Sequence, residues 1–163
     1  MVKTNINLFA EGEVVYTDGG VLAEFAWVLV VLPFVAALII TFIGKSLPLK
    51  GAEIALGTIG IIFIYSLALM YLHVTEGVAN EFFINVGNIG KFDIEFGWVV
   101  DGLSIMMYFV VGLVALLVFI YATNYMEGEI RYTFFFTSLT LFAGSMLVLV
   151  SSPTLIQILI GWE

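Results

Sequence analysis

Four apolar runs, each set off by a short polar link or a single longer loop, constrain this chain more than any motif. Val21 to Ile43, Ala52 to Val74, Val100 to Tyr125 and Tyr132 to Val150 each come close to or exceed the ~20 apolar residues that a membrane-crossing helix needs. The first reaches roughly 34 Å as a helix, which is enough to span. The chain is 62% hydrophobic and 11% charged, with mean hydropathy +1.15. Its charges gather between the runs instead of speckling one face, which excludes a soluble globular domain. The expected fold class is therefore an all-α polytopic membrane protein. It has four complete transmembrane helices (about 21–43, 52–74, 100–125 and 132–150) plus the first half of a fifth (153–163), with an amphipathic β-hairpin between helices two and three.

The remaining composition narrows the chemistry. The chain has no cysteine, so disulfides, thiolate-bound metals and iron–sulfur clusters are excluded. A net charge of −8 leaves nothing to neutralise phosphates, so no nucleic-acid partner is expected. Residues 1–20 form an acidic tail (Glu11, Glu13 and Asp18 against Lys3). The tail lacks the basic start and short apolar core of a secretory signal, so the first run is expected to stay in the mature protein.

Polar residues within and beside the runs are the functional candidates. Pro33 lies inside the first run, where it is expected to kink the helix as a packing feature. Gly57 and Gly60 in the second run are expected to let helices approach closely. His73 sits at the far end of that run beside Thr75-Glu76-Gly77. An interfacial histidine accounts for it, with a proton relay as the sharper alternative. Between Glu76 and Trp98 the period falls to two: Phe92, Ile94, Phe96 and Trp98 alternate with Lys91, Asp93 and Glu95. That pattern predicts the hairpin, lying on one membrane face over the mouth of the bundle, with a partner-binding edge as the alternative.

Asp101, three residues before Ser104, fits a helix N-cap, and proton input is its alternative role. Tyr121, Tyr125 and Tyr132 are placed as an aromatic belt. Thr133, Thr137, Ser138, Thr140 and Ser145 in the fourth run are expected to return their hydroxyl bonds to the helix backbone.

The last eleven residues, Pro153 to Glu163, place an acid where lipid disfavours it. A helix starting at Pro153 carries Glu163 roughly 15 Å inward, half of the ~30 Å hydrocarbon layer. A carboxylate at that depth costs a few kcal/mol or more and is read first as functional. A natural terminus there would leave two carboxylates and the last helical carbonyls in lipid. The expectation is therefore an amino-terminal fragment of a longer chain. Lys45, Lys50 and Arg131 lie in the links after spans one and three, so those links are expected to face the cytoplasm and the N-terminus to be extracytoplasmic.

Several segments, in order, carry a family resemblance: Trp98-Val-Val-Asp101-Gly-Leu-Ser104, Tyr121-Ala-Thr-Asn-Tyr125-Met126, Phe134-Phe-Phe136, Met146-Leu-Val-Leu-Val150 and Gly161-Trp162-Glu163. They resemble the start of the L subunit of proton-translocating NADH-quinone oxidoreductase, respiratory complex I. Glu24-Phe-Ala-Trp27 to Pro33 and the Arg131-Tyr132-Thr133 link are similar to bacterial versions of it.

The resemblance implies a truncated antiporter-like domain over residues 21–163, in a subunit of an enzyme that couples NADH oxidation by quinone to proton pumping. It also implies that Glu163 is the proton-handling glutamate of the fifth helix, coupled to a lysine on a later helix. The other membrane-arm subunits, the lipid bilayer and protons are then the partners, in a multi-pass cell-membrane protein. NADH, FMN, iron–sulfur clusters and quinone belong to other subunits, and no redox, cofactor or metal site is expected in this chain. Two alternatives stand beside it. One is the large subunit of a multisubunit cation/proton antiporter or membrane-bound hydrogenase, and the other is a small non-catalytic structural membrane subunit.

Overall fold

The computed structural model describes residues 17–18, 20–89 and 92–163. Of the acidic tail, only positions 17, 18 and 20 fall among them. The chain order is β1 (Thr17–Asp18), α1 (Gly20–Glu24), α2 (Trp27–Ile43), α3 (Ala52–Glu76), β2 (Val78–Ile89), β3 (Phe92–Val100), α4 (Gly102–Tyr125), α5 (Tyr132–Ser151) and α6 (Leu155–Trp162). Four helices, beginning at Trp27, Ala52, Gly102 and Tyr132, are long and apolar enough to cross a membrane. The first apolar run is not one helix, because it breaks between α1 and α2.

Each span exposes a lipid-grade flank and buries a narrow one, as a membrane bundle must when lipid replaces water outside. Phe42, Ile64, Leu103 and Leu117 point outward, whereas Ile40, Ile62, Tyr108 and Phe136 are fully buried. α3 packs on α4 and α2 on α5.

Close approach is supplied by glycines other than the expected pair. A side chain at Gly57 or Gly60 would meet nothing within 4 Å. At Gly112 of α4, by contrast, a Cβ would lie 3.3 Å from the Phe63 backbone of α3. Pro33 is buried against Gly144, whose added Cβ would come within 3.1 Å of it. The proline therefore serves helix packing.

The predicted hairpin is present as β2 and β3, paired antiparallel with Phe82 opposite Trp98 and Phe83 opposite Gly97, and with a register shift at Asn85/Gly87. Phe82 and Trp98 stack at 4.5 Å, the type of cross-strand aromatic pair that fixes register. The sheet continues helices α3 and α4 directly and touches both α4 and α5 through β3, so it lies at one end of the bundle.

At the opposite end the two short links meet, where the Thr133 hydroxyl donates to the Lys50 carbonyl at 3.0 Å. Lys45, Lys50 and Arg131 therefore share an end, and the hairpin occupies the other. Tyr121 and Tyr125 are exposed and stacked at 5.5 Å, as a belt requires. Tyr132 is not part of such a belt: it is buried against Phe136. Thr137, Thr140 and Ser145 donate to carbonyls four residues back, which satisfies them inside the helix.

Candidate functional site

Helix α6 begins at Leu155 rather than at Pro153. The Thr154 side chain, in extended backbone, accepts from the Gln157 N–H at 3.4 Å, so the cap falls one residue after the proline. Gln157 and Gly161, one turn apart, are its buried residues, while Leu155, Leu159 and Trp162 are exposed.

The Gln157 amide makes two buried bonds to one residue of β3. Its Oε1 accepts from the Gly97 N–H at 3.0 Å, and its Nε2 donates to the Gly97 carbonyl at 2.8 Å. A side chain thus takes the place of a neighbouring strand along the outer edge of the hairpin. One turn later Gly161 packs directly on α5, where an added Cβ would lie 2.9 Å from the Leu149 backbone nitrogen.

This packing fixes where Glu163 lies. Leu149 is two residues from the Ser151 end of α5, and Glu163 is two residues beyond Gly161. At ~1.5 Å per residue the Glu163 backbone comes no more than about 6 Å below that end. Helix α6 thus starts two residues later than Pro153 and is held against the hairpin through Gln157. Glu163 is exposed, and its N–H donates to the Leu159 carbonyl at 3.1 Å, so helical bonding continues up to the acid.

A second polar group lies at the same end, between α3, α4 and α5. Asp101 caps α4 as predicted, its Oδ1 accepting from the Ser104 N–H at 2.7 Å. The Ser104 hydroxyl reaches across to the Val150 carbonyl of α5 at 3.4 Å. The His73 ring lies over Gly102, where a Cβ would meet its Nε2 at 2.8 Å, so His73 and Asp101 flank one junction. Below them Tyr108 is fully buried. His73 and Asp101 are thus brought together, whereas Glu163 stands apart on the α5–α6 side.

The cap yields a direct expectation. Asp101→Ala should destabilise α4 by about 1 kcal/mol, while Asp101→Asn, also a good cap, should change stability by only a few tenths. Thermal unfolding of the two variants in detergent checks this. Equal losses would remove capping as the principal structural role.

Two members of this end are not marked by the apolar runs. Gln157 is in sequence a lone amide in an apolar stretch, and its partner is sixty residues away. Tyr108 reads in sequence as one more aromatic of a span. No group of three or more His, Cys, Asp or Glu residues able to hold a metal ion occurs among the described residues.

Comparison with known proteins places these features in context. Residues 87–136, covering the end of β2, all of β3 and α4 and the start of α5, match the family model described as NADH-Ubiquinone oxidoreductase (complex I), chain 5 N-terminus. The chain is 36% identical over 149 residues to NAD(P)H-quinone oxidoreductase chain 5 of Synechocystis sp., covering 87% of this chain and 22% of that one. It is 35% identical over 150 residues to the chain 5 of Picosynechococcus sp., again 22% of its length. A third relative, NAD(P)H-quinone oxidoreductase subunit 5, organellar chromatophore 1, of Paulinella chromatophora, is 31% identical over 147 residues. The chain thus spans about a fifth of the length of the curated relatives it matches. With its four apolar helices it is a multi-pass membrane protein.

Proposed function

We propose that this chain, which belongs to the complex I chain 5 family, supplies the amino-terminal part of a membrane-arm subunit that moves protons when NADH is oxidised by quinone elsewhere in the complex. The observation that carries the reading is the family match on β3 and α4, in a chain that also places the acid Glu163 directly after Trp162 of α6. A carboxyl group among apolar side chains prefers its neutral form, and a cation brought near favours the charged form. Moving that cation toggles proton uptake and release. Glu163 is the proton-handling group in this reading, with Asp101 and His73 as access groups on the hairpin side.

The enzyme is then the whole complex, and this chain contributes no redox site of its own. It lacks cysteine thiolates, and its sequence carries no glycine-rich dinucleotide-binding fingerprint. Its partners are neighbouring membrane-arm subunits, for which exposed apolar flanks such as Leu155, Leu159 and Trp162 provide area. The end bearing Lys45, Lys50 and Arg131 faces the cytoplasm and the hairpin faces outward, by the preference of short basic links for the cytoplasmic side.

The test is proton transport by vesicles of the host membrane with and without the full-length subunit. NADH-driven acidification per electron should fall when the subunit is deleted and return on complementation. An unchanged proton-to-electron ratio in an otherwise assembled complex would overturn the proposal.

A further inference from the structure

Asp101, Ser104 and Tyr108 stand at i, i+3 and i+7, so they line one face of α4. This face runs from the half-exposed junction under the hairpin into the interior. At its inner end the Tyr108 side chain is 0% exposed, and its hydroxyl has no hydrogen-bond partner among the described residues. Ser151 of α5 lies close enough to interact with it without the geometry of a hydrogen bond. Ser151 spends its own proton on the Leu147 and Val148 carbonyls at 2.8 and 3.1 Å, so its Oγ remains available as an acceptor. An unpaired buried hydroxyl is costly, and sites with two or more polar partners are where internal water is retained.

The spacing suits a chain of hydroxyls. Seven residues separate Asp101 from Tyr108 by roughly 10 Å along the helix, and a helical tyrosine leans toward the N-terminus, which shortens the gap. The Ser104 hydroxyl, bonded to the Val150 carbonyl, ties α4 to α5 between them.

We propose that this face of α4 holds internal water between the Tyr108 hydroxyl, Ser151 and Asp101, and that the resulting file carries protons between the hairpin-side surface and the α4–α5 interior. Its transport half rests on the proton-handling function proposed above. In each passage a proton binds the Asp101 carboxylate and is handed to water. The tyrosine hydroxyl accepts one proton as it gives up its own, so every group ends in its starting state.

The experiment uses the complete complex containing the full-length chain. A density map that resolves ordered water should show water within hydrogen-bonding distance of Tyr108 in the unmodified protein and lose it in Tyr108→Phe. In proteoliposomes Tyr108→Phe should lower the pumping rate several-fold, with uncoupled electron transfer unchanged. Asp101→Asn, which keeps the cap, should do the same, and the double variant should be no slower than the worse single one, as for groups in series. Ser151→Ala provides a second route to the same loss should Tyr108→Phe not assemble. A dry pocket in the unmodified protein, or Tyr108→Phe and Asp101→Asn pumping at the normal rate, overturns the inference. Failure of this inference is distinguishable from failure of the proposed function: normal pumping by a Glu163→Gln complex rejects the latter, while the water around Tyr108 is read independently of transport.

Discussion

Complex carrying Glu163→Gln in the full-length subunit should assemble, oxidise NADH at a normal uncoupled rate, and lose proton movement through this chain by at least about tenfold, because an amide of the same shape cannot take up and release the proton. Shape is conserved, so the loss reports on ionisation and not on packing. The side chain is exposed at the end of α6, and the neighbours that hold the helix are Gln157 and Gly161. The substitution should therefore leave the α5–α6 contact intact.

Glu163→Asp separates charge from position. It keeps the acid but draws it back by one methylene, and displacements of about 1 Å at a reacting group can cost up to about a hundredfold. The expected order of pumping is Glu above Asp above Gln, read as acidification per electron in proteoliposomes. Equal pumping by all three would detach Glu163 from transport.

The membrane-spanning architecture was legible because it follows from run length alone: no soluble core accommodates four stretches such as Ala52 to Val74. The hairpin was legible for a different reason, since the alternation from Phe92 to Trp98 has a period that no helix can use. The Asp101 cap was local, three residues from its donor, and local chemistry is what a sequence displays.

Contacts that depend on who faces whom were not legible. Gly57 and Gly60 have the spacing of a close-packing face, yet it is Gly112 that meets Phe63, because rotation of each helix is set by its neighbours. Tyr132 belongs by position to an interfacial belt and is instead buried beside Phe136. The start of α6 was placed two residues early on the same account. Helix rise can be counted from the sequence, but the late start behind Thr154 and the tether to Gly97 are tertiary facts. The Gln157 amide in an apolar stretch was the one available signal, since a buried amide requires a polar partner.

Replacing Gln157 with leucine should release α6 from the hairpin. The volumes are close, so packing changes little, and what is removed is the pair of bonds to the Gly97 N–H and carbonyl. Gly97 faces away from Phe83 in the ladder and has no strand beyond it among the described residues. No other described residue replaces the amide, and each buried main-chain group left unpaired costs about 1–3 kcal/mol. Even a cost near 2 kcal/mol raises the open population about 30-fold. The Gly97 amide donates directly to Gln157, so its hydrogen exchange is the sensitive readout. Peptides covering residues 92–100 should lose protection by that factor in the full-length protein, while α3 and α4 keep theirs. A side chain at position 97 is itself excluded, because it would run into the Phe82 carbonyl. Unchanged protection of β3 in Gln157→Leu would mean that α6 is held by Gly161 against Leu149 alone. With the expected loss, the hairpin and the acid-bearing helix form one mechanical unit, joined through a single amide.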